Sequence, residues 1–385
     1  MRWIASWTAA PMSALVPGIE LTSAYGQTIR EIARLTISGS KLVLRLTNEF
    51  GRSPVTLDSV ELAMAGEAGS IEPMTTRPVT FGGKRGAVIH GGTPLLSDPI
   101  EMEVSALSRL AVSYFCSGHL PLHTTHWGGR QSSFVSVPGD FTTARQMMLQ
   151  QTTGSHHLLS ALYVLAPSKA RAIICVGDSI TDGDGSTVDA DRRWPDILAE
   201  RLQQSRGFES VAVLNQGIGG NRILFEGSGE KLLQRFDRDV LTLHGATHVV
   251  VLCGVNDIAY PATALAGPAE AVTTADIIAA LAQLVIRARL AGLKVLLGTI
   301  LPFEGALPAT PIGYYTTQKD RTRQAVNQWI REGSTADGII DFDAVIRDPD
   351  RPTRILPRYD SGDSVHPGDA GYRAMANAID LTLLR

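Results

Sequence analysis

The sequence predicts two domains, an all-β domain over residues 1–166 and an α/β domain over residues 171–385. The chain has 385 residues, too many for one domain at about 150 residues each. Apolar and polar residues alternate in the first part, as in strands with one buried face. Short continuous apolar runs in the second part alternate with helical segments, which is typical of a parallel sheet covered on both faces.

The alternating pattern extends over residues 30–115. Leu42, Leu44 and Leu46 illustrate the period of two, and glycine-rich turn signals separate such runs at spacings typical of a β-sandwich or barrel. No helical pattern interrupts them. Residues 166–170 have the composition of a short linker, which sets the predicted boundary between the domains.

The second part contains four predicted strands, four predicted helices and one long loop. The strands are predicted at 172–176, 211–214, 248–253 and 293–298, and the helices at 194–204, 276–291, 317–332 and 369–384. Ligands of open α/β sheets bind beyond the carboxyl ends of the strands. We expect the Pro- and Gly-containing residues 303–316 to form a loop there that shapes the ligand pocket.

Composition argues against several classes of partner. The 35 Lys and Arg residues face 38 Asp and Glu residues, for a net charge of −3, and no basic run supplies a surface for nucleic acid. The apolar runs are too short for a membrane span, and the first residues lack a secretory signal. We expect a cytoplasmic protein as the chain is written, with no membrane partner; a trimmed signal would change only the location.

The three cysteines are expected to be buried and unpaired. Cys116, Cys175 and Cys253 each lie within an apolar run. Three is an odd number, and their positions suit small hydrophobic side chains better than a disulfide framework or a metal site.

The first sequence block that could take part in catalysis is Gly177–Asp178–Ser179, directly after a predicted strand. A serine on a tight turn at a strand end can present its hydroxyl outward and direct its own N–H at an oxyanion. The alternative is a polar loop in which Ser179 caps the next helix. Thr181 occupies the place of the last glycine in Gly-x-Ser-x-Gly, which argues against the nucleophile elbow of α/β-hydrolases.

Two further blocks follow the next strands. The segment 215–222 contains the adjacent Gly219 and Gly220, which allow close backbone approach to a ligand; the alternative is a plain turn. Its glycines do not fit the dinucleotide pattern Gly-x-Gly-x-x-Gly. The segment 253–257 carries Asn256, whose amide is a suitable donor to an oxyanion; the alternative is an Asx-turn.

The fourth block, residues 360–367, places Asp363 three residues before His366. One tight loop can direct both side chains to the same side, so that the carboxylate orients the imidazole while its other nitrogen faces a serine. The alternative is a histidine with a purely structural role. Asp363 and the separate Ser179 favour the catalytic interpretation.

No metal or organic cofactor is expected. Asp182–Gly183–Asp184 resembles the opening of a calcium loop, but Arg193 stands at the twelfth position, where a bidentate glutamate is required. His119, His123 and His126 are close in sequence, but an intervening proline removes helical spacing and neither cysteine nor carboxylate joins them, which argues against zinc.

Together the four ordered blocks resemble the SGNH (GDSL) hydrolase family, over essentially all of residues 171–385. The whole chain resembles its two-domain branch. The resemblance implies a jelly-roll-like β-sandwich followed by a three-layer α/β/α, flavodoxin-like domain with a mainly parallel sheet. It also implies site roles: Ser179 as nucleophile, His366 as general base and then acid, Asp363 as its orienting partner, and an oxyanion hole formed by the N–H groups of Ser179 and Gly220 and the amide of Asn256.

The expected function is a serine carboxylic ester hydrolase for short acyl esters, an acetylesterase acting on carbohydrate or aryl acetyl esters through an acyl-enzyme on Ser179. A lipase, lysophospholipase or thioesterase of the same family is one alternative. A catalytically degenerate carbohydrate-binding protein is another. The substrate is a small-molecule or carbohydrate ester, and the sequence indicates neither substrate-binding residues nor an oligomeric state.

Overall fold

A computed structural model describes residues 1–14, 21–307 and 313–385. The chain divides into two compact units. The first comprises Met1–Ala172, Val188–Ala190 and Ala199–Leu214, and the second comprises Ile173–Thr187, Asp191–Leu198 and Asn215–Arg385. The domain boundary that we placed between residues 166 and 171 stays a prediction.

Strands dominate the first 166 residues. They are β1 (Arg2–Thr8), β2 (Met12–Ser13), β3 (Ser23–Arg34), β4 (Gly39–Thr47), β5 (Val55–Leu57), β6 (Ser59–Met64), β7 (Arg77–Pro78), β8 (Ala87–Ile89), β9 (Pro94–Leu96), β10 (Ile100–Val104), β11 (Arg109–Pro121), β12 (Thr124–Thr125), β13 (Ser133–Pro138), β14 (Leu149–Thr153) and β15 (Leu159–Ala166). Between residues 30 and 115 the helical structure is limited to the 3₁₀ turns Glu67–Gly69 and Pro73–Thr75.

The strands form two main antiparallel sheets. One has the order β1–β15–β4–β10, with β9 also paired to β4, and the other has the order β14–β13–β3–β11–β6–β7. This arrangement is consistent with the predicted β-sandwich. Strand β1 pairs with β15, more than 150 residues later in the chain, so local pattern gives no sign of where it belongs.

The predicted alternation holds on peripheral strands and fails on a central one. In β10 the apolar Ile100, Met102 and Val104 are buried, whereas the two intervening glutamates are exposed. In β3 the residues Gln27–Ala33 are buried without alternation, including Arg30 and Glu31. A strand paired on both sides and covered on both faces has no solvent-facing positions, so its charged residues need partners inside the protein.

Glu31 is a buried carboxylate with several hydrogen-bond partners. It accepts hydrogen bonds from the Tyr114 hydroxyl at 2.6 Å and from the N–H groups of His157 at 2.6 Å, Leu158 at 3.2 Å and Leu159 at 3.2 Å. These bonds join β3 to β11 and to the start of β15. Burial raises the pKa of Glu31, but hydrogen bonding and the charge of His156 lower the pKa by a larger amount, so the net shift is downward.

The part of the chain after residue 170 follows the predicted α/β pattern. Its sheet strands are β16 (Arg171–Gly177), β17 (Val211–Gly217), β18 (Ala246–Leu252), β19 (Lys294–Gly298) and β20 (Gly338–Ile340). Its helices are α1 (Ser179–Asp182), α2 (Trp194–Gln203), α3 (Leu232–Phe236), α4 (Val255–Ala259), α5 (Thr274–Leu290), α6 (Thr317–Glu332), α7 (Phe342–Ile346) and α8 (Asp369–Ala378). A π-helical turn, Asp237–Leu241, continues α3, and 3₁₀ turns lie at Pro268–Glu270, Pro357–Tyr359 and Leu381–Leu384.

The strand order is β17–β16–β18–β19–β20, and β18, β19 and β20 pair in parallel. This is the 2-1-3-4-5 order of one class of doubly wound sheets. Strands β16 to β19 confirm the four predicted strands. The edge strand β20 has three residues, too few to give a pattern.

Three of the predicted helices match α2, α5 and α6 closely. The fourth, predicted over 369–384, is too long because α8 ends at Ala378. The Asp380 side chain accepts a hydrogen bond from the Thr382 N–H and begins a separate turn. All three cysteines are buried and unpaired, as predicted. Within the described ranges, no helix is both long and apolar enough to cross a membrane.

We predict that Tyr114→Phe destabilises the first unit by about 1.5–3 kcal/mol, because the ionised Glu31 loses a charge-assisted hydrogen bond that water cannot replace. The midpoint of urea unfolding measures the change. Tyr25→Phe is the matched control, since Tyr25 is 68% exposed, and it should change the stability by less than about 0.5 kcal/mol. Equal midpoints for the two variants would contradict the assigned importance of the Glu31 network.

Candidate active site

The segment that carries Ser179 connects β16 to α1 in a tight turn. A side-chain carbon on Gly177 would lie 1.9 Å from the Leu252 carbonyl oxygen, so only glycine fits at this position. Asp178 caps α1, its carboxylate accepting a hydrogen bond from the Ile180 N–H at 3.1 Å. Ser179 is therefore the first residue of the helix, and the alternative in which it serves as the cap is wrong.

Ser179, His366 and Asp363 form one continuous hydrogen-bonded chain. The Ser179 Oγ lies 2.8 Å from His366 Nε2, and His366 Nδ1 lies 2.5 Å from Asp363 Oδ2. An ionised carboxylate only accepts hydrogen bonds, so the Nδ1 nitrogen carries the proton and Nε2 is left to accept one from serine. The other carboxylate oxygen of Asp363 accepts from the N–H groups of Val365 and His366, which fixes the loop.

The surrounding charges determine the protonation states of His366 and Asp363. Burial lowers the pKa of His366, but the hydrogen bond to Asp363 and the negative charges of Asp184, Asp363 and Asp178 raise it more, so the net pKa lies above its ordinary value. Burial raises the pKa of Asp363, yet its bonds to His366 outweigh this and hold the pKa at about 2. The carboxylate is ionised at neutral pH and stabilises a protonated imidazole.

The glycine segment after β17 presents a free backbone donor. The Gly219 N–H donates to Asp182 Oδ2 at 3.0 Å, whereas Gly220 adopts a left-handed conformation with φ of +72°. Within the part of the chain that the structure describes, the N–H groups of Gly220 and Ser179 donate no hydrogen bond. Of the two adjacent glycines, Gly220 is thus the one with an N–H available to a ligand.

Asn256 is held by two residues that are distant in sequence. Its Oδ1 accepts a hydrogen bond from the Tyr314 hydroxyl at 2.7 Å, and its Nδ2 donates to the Asn221 carbonyl oxygen at 3.0 Å. The side chain is buried, and these long-range bonds replace the local Asx-turn that we had considered. One hydrogen of the amide remains after the bond to Asn221.

Comparison with known proteins identifies the family. The model of the GDSL-like lipase/acylhydrolase family matches residues 175–374, a little over half of the chain. The chain belongs to this family. As a GDSL-like acylhydrolase it is a carboxylic ester hydrolase, a class that acts on small-molecule esters. No curated protein gives a significant match.

Several solved structures are similar to part of the chain. A GDSL-like lipase from Bacteroides thetaiotaomicron is 20% identical, with 57% of this chain and 90% of that chain covered and a TM-score of 0.42. An aryl esterase from M. smegmatis is 19% identical, with 54% and 96% covered and a TM-score of 0.43. An acetylxylan esterase from Geobacillus stearothermophilus is 22% identical, with 56% and 94% covered and a TM-score of 0.41.

Arg235 connects the two glycine-containing segments of this acylhydrolase, and sequence reasoning missed it. Its buried guanidinium donates to the carbonyl oxygens of Gly177 and Gln216, both at 2.9 Å, and to the Asn221 Oδ1 at 3.1 Å. Asp239 neutralises its charge at 2.9 Å. No motif surrounds Arg235, and its partners other than Asp239 lie 14 to 58 residues away.

Two other positioning groups also lay outside the predicted set. The carboxylate of Asp257 accepts from the N–H groups of Ile223 and Leu224, and burial raises the pKa of Asp257 to about 6. Tyr314 lies in the predicted loop 303–316. Residues 303–307 and 313–316 of this loop have neither helix nor strand, and residues 308–312 lie outside the described part of the chain.

Proposed function

We propose that this acylhydrolase cleaves esters of short acyl groups through an acyl-enzyme on Ser179, with acetyl esters of carbohydrates or aryl alcohols as its substrates. The observation that carries the proposal is the continuous chain from the Ser179 hydroxyl through His366 to Asp363. A serine nucleophile needs a base within hydrogen-bonding distance and a group that orients this base. These three side chains meet both requirements without further movement.

The reaction follows from the direction of these hydrogen bonds. His366 Nε2 removes the proton from the Ser179 hydroxyl as the oxygen attacks the ester carbonyl. The imidazolium, stabilised by Asp363, then protonates the leaving alcohol. In the second half, His366 removes a proton from water, which attacks the acyl-enzyme, and the proton returns to Ser179 as the carboxylic acid leaves.

The oxyanion of each tetrahedral intermediate is assigned to three donors. Two are the backbone N–H groups of Ser179 and Gly220, which donate no hydrogen bond within the described residues. The third is the Asn256 amide. Hydrogen bonds to Tyr314 and Asn221 hold this amide before any substrate binds. Such preorganisation is what makes an oxyanion donor effective.

Crowding beside Gly220 supports a small acyl group. A side-chain carbon on Gly220 would lie 2.9 Å from the Ser228 Oγ and 3.0 Å from the Tyr260 hydroxyl oxygen. Tyr260 packs edge-to-face on Tyr314, with ring centroids 5.9 Å apart. Hydroxyl groups and rigid rings therefore limit the space beside the proposed oxyanion donor, which supports a small acyl group.

We also propose that residues 1–166 form an accessory domain, a jelly-roll-like β-sandwich, and that residues 171–385 form the catalytic domain with a flavodoxin-like arrangement. The antiparallel sheets among residues 1–166 and the strand order among residues 171–385 support this division.

The central test combines substrate length with labelling of the nucleophile. We expect hydrolysis of aryl acetate to exceed that of butyrate, octanoate and palmitate in this order, and to vanish in Ser179→Ala. Mass spectrometry after treatment with a serine-directed phosphonate should place the label on Ser179. Ser205→Ala, which removes a hydroxyl bonded to the Arg201 carbonyl oxygen, should keep both activity and label.

Other results of this test would point elsewhere. A preference for octanoate or palmitate would favour the hypothesis that the enzyme is a lipase. Absence of both activity and label would favour a degenerate carbohydrate-binding protein.

Tyr314→Phe is expected to lower kcat by about 2- to 12-fold with little change in KM, because the loss of one hydrogen bond of about 0.5–1.5 kcal/mol loosens the Asn256 amide at the transition state. Steady-state kinetics with aryl acetate measures both constants. Tyr315→Phe is the matched control, since both Tyr314 and Tyr315 pack on Phe303, whereas only Tyr314 donates a hydrogen bond to Asn256. A change in KM alone would assign Tyr314 to substrate binding instead.

The pH profile should reflect the raised pKa of His366. The base must be neutral, so kcat/KM falls as pH decreases through a pKa above the ordinary value of about 6.5. Asp184→Asn removes a negative charge that favours the imidazolium, so the acidic limb should move to lower pH. Profiles of kcat/KM from pH 4.5 to 9 measure this shift. Asp350→Asn, in an exposed turn, should leave the limb unmoved, and an identical limb in Asp184→Asn would refute the assignment.

A further inference from the structure

Arg222 is a buried cation with unused hydrogen-bonding capacity. Its side chain is 1% exposed, and its Nη1 pairs with the carboxylate of Glu270. In the described part of the chain, its Nε and Nη2 nitrogens have no hydrogen-bond acceptor. Leaving a buried polar group without a partner costs free energy. A ligand that brings a hydrogen-bond acceptor to these two nitrogens would remove this cost.

The guanidinium lies beside the glycine segment of the proposed active site. Arg222 is two residues after Gly220, and its guanidinium carbon lies 6.0 Å from the centre of the Tyr260 ring. The hydroxyl of this tyrosine borders Gly220. The Phe225 ring covers the guanidinium at 4.7 Å, which orients the planar cation and limits its movement.

Glu270 makes a contact that can be exchanged. It belongs to the turn Pro268–Glu270, between α4 and α5, and its side chain is 37% exposed while that of Arg222 is buried. Its carboxylate engages a single nitrogen of a group whose planar fork matches a carboxylate at two nitrogens. An incoming carboxylate that reaches Nη2 or Nε as well would therefore bind better than Glu270 does.

We propose that Arg222 binds a carboxylate carried by the ester substrate, and that Glu270 occupies this position in the free enzyme. The inference rests on the proposed function and specifies its substrate class as esters with an acidic group near the cleaved bond. The carboxylate can belong to either half of the ester. A sugar acid bearing an acetyl group presents it on the alcohol side, and a half-ester of a dicarboxylic acid presents it on the acyl side.

The test compares charged and neutral esters with the same reacting bond. 4-Acetoxybenzoate and its methyl ester probe the alcohol side, and phenyl hydrogen succinate and its methyl ester probe the acyl side. For each pair the measured quantity is the ratio of kcat/KM for the charged ester to that for the neutral one. A ratio cancels any general loss of activity, so a merely structural role of Arg222 would leave it unchanged.

For one of the two pairs we expect Arg222→Gln to lower this ratio by about 10- to 100-fold, because charge-assisted hydrogen bonds are lost. Glu270→Gln should raise the same ratio several-fold, because it weakens the competing carboxylate. Glu226→Gln, a nearby exposed glutamate, is the matched control and should leave the ratio unaltered. The pair that responds identifies the half of the ester that carries the carboxylate.

The failures of the two proposals are distinguishable. If the wild type hydrolyses the neutral esters but neither ratio responds to Arg222→Gln or Glu270→Gln, Arg222 is not a carboxylate site. If the wild type hydrolyses no ester of either pair, the proposed function fails. Glu270 is partly exposed, so Glu270→Gln keeps the test decisive if Arg222→Gln does not fold, and an unaltered ratio in that variant alone overturns the proposal.

Discussion

The active-site region depends on one buried guanidinium. Arg235 bonds to the carbonyl oxygen of Gly177, two residues before Ser179, and to both Gln216 and Asn221 in the glycine segment. Buried carbonyl groups at strand ends need hydrogen-bond donors from other parts of the chain. A fork of N–H donors with fixed geometry satisfies three acceptors at once, and thereby fixes the spacing between the proposed nucleophile and the proposed oxyanion donors.

In the first unit a buried charge of the opposite sign also binds several chain segments. Glu31 accepts four hydrogen bonds that join β3, β11 and the start of β15. In the same way, Arg235 donates to the ends of β16 and β17 and to Asn221 beyond β17. Burying a charge costs less free energy when a counter-charge or several hydrogen bonds compensate it. Each of these two charges therefore specifies the relative placement of several chain segments, which apolar contacts alone define less sharply.

The sequence was informative where chemistry or periodicity is local. The four strands predicted after residue 170 follow from continuous apolar runs, and the proximity of Asp363 and His366 follows from their spacing of three residues. Arg235, Tyr314 and Glu31 were not predictable, because their partners lie tens to more than a hundred residues away. Strand β1 was missed for the same reason. The residue pattern of a segment does not reveal which distant segment it pairs with.

The burial of Cys253 makes its thiol unreactive although it lies close to the active site in sequence. This thiol lies three residues before Asn256 and is almost inaccessible, and burial raises its pKa well above the ordinary value. Thiolates are the species that react with peroxides, disulfides and alkylating agents. A protonated and enclosed thiol reacts slowly with such reagents, so modification of the folded enzyme by serine-directed reagents is not complicated by reaction at Cys253.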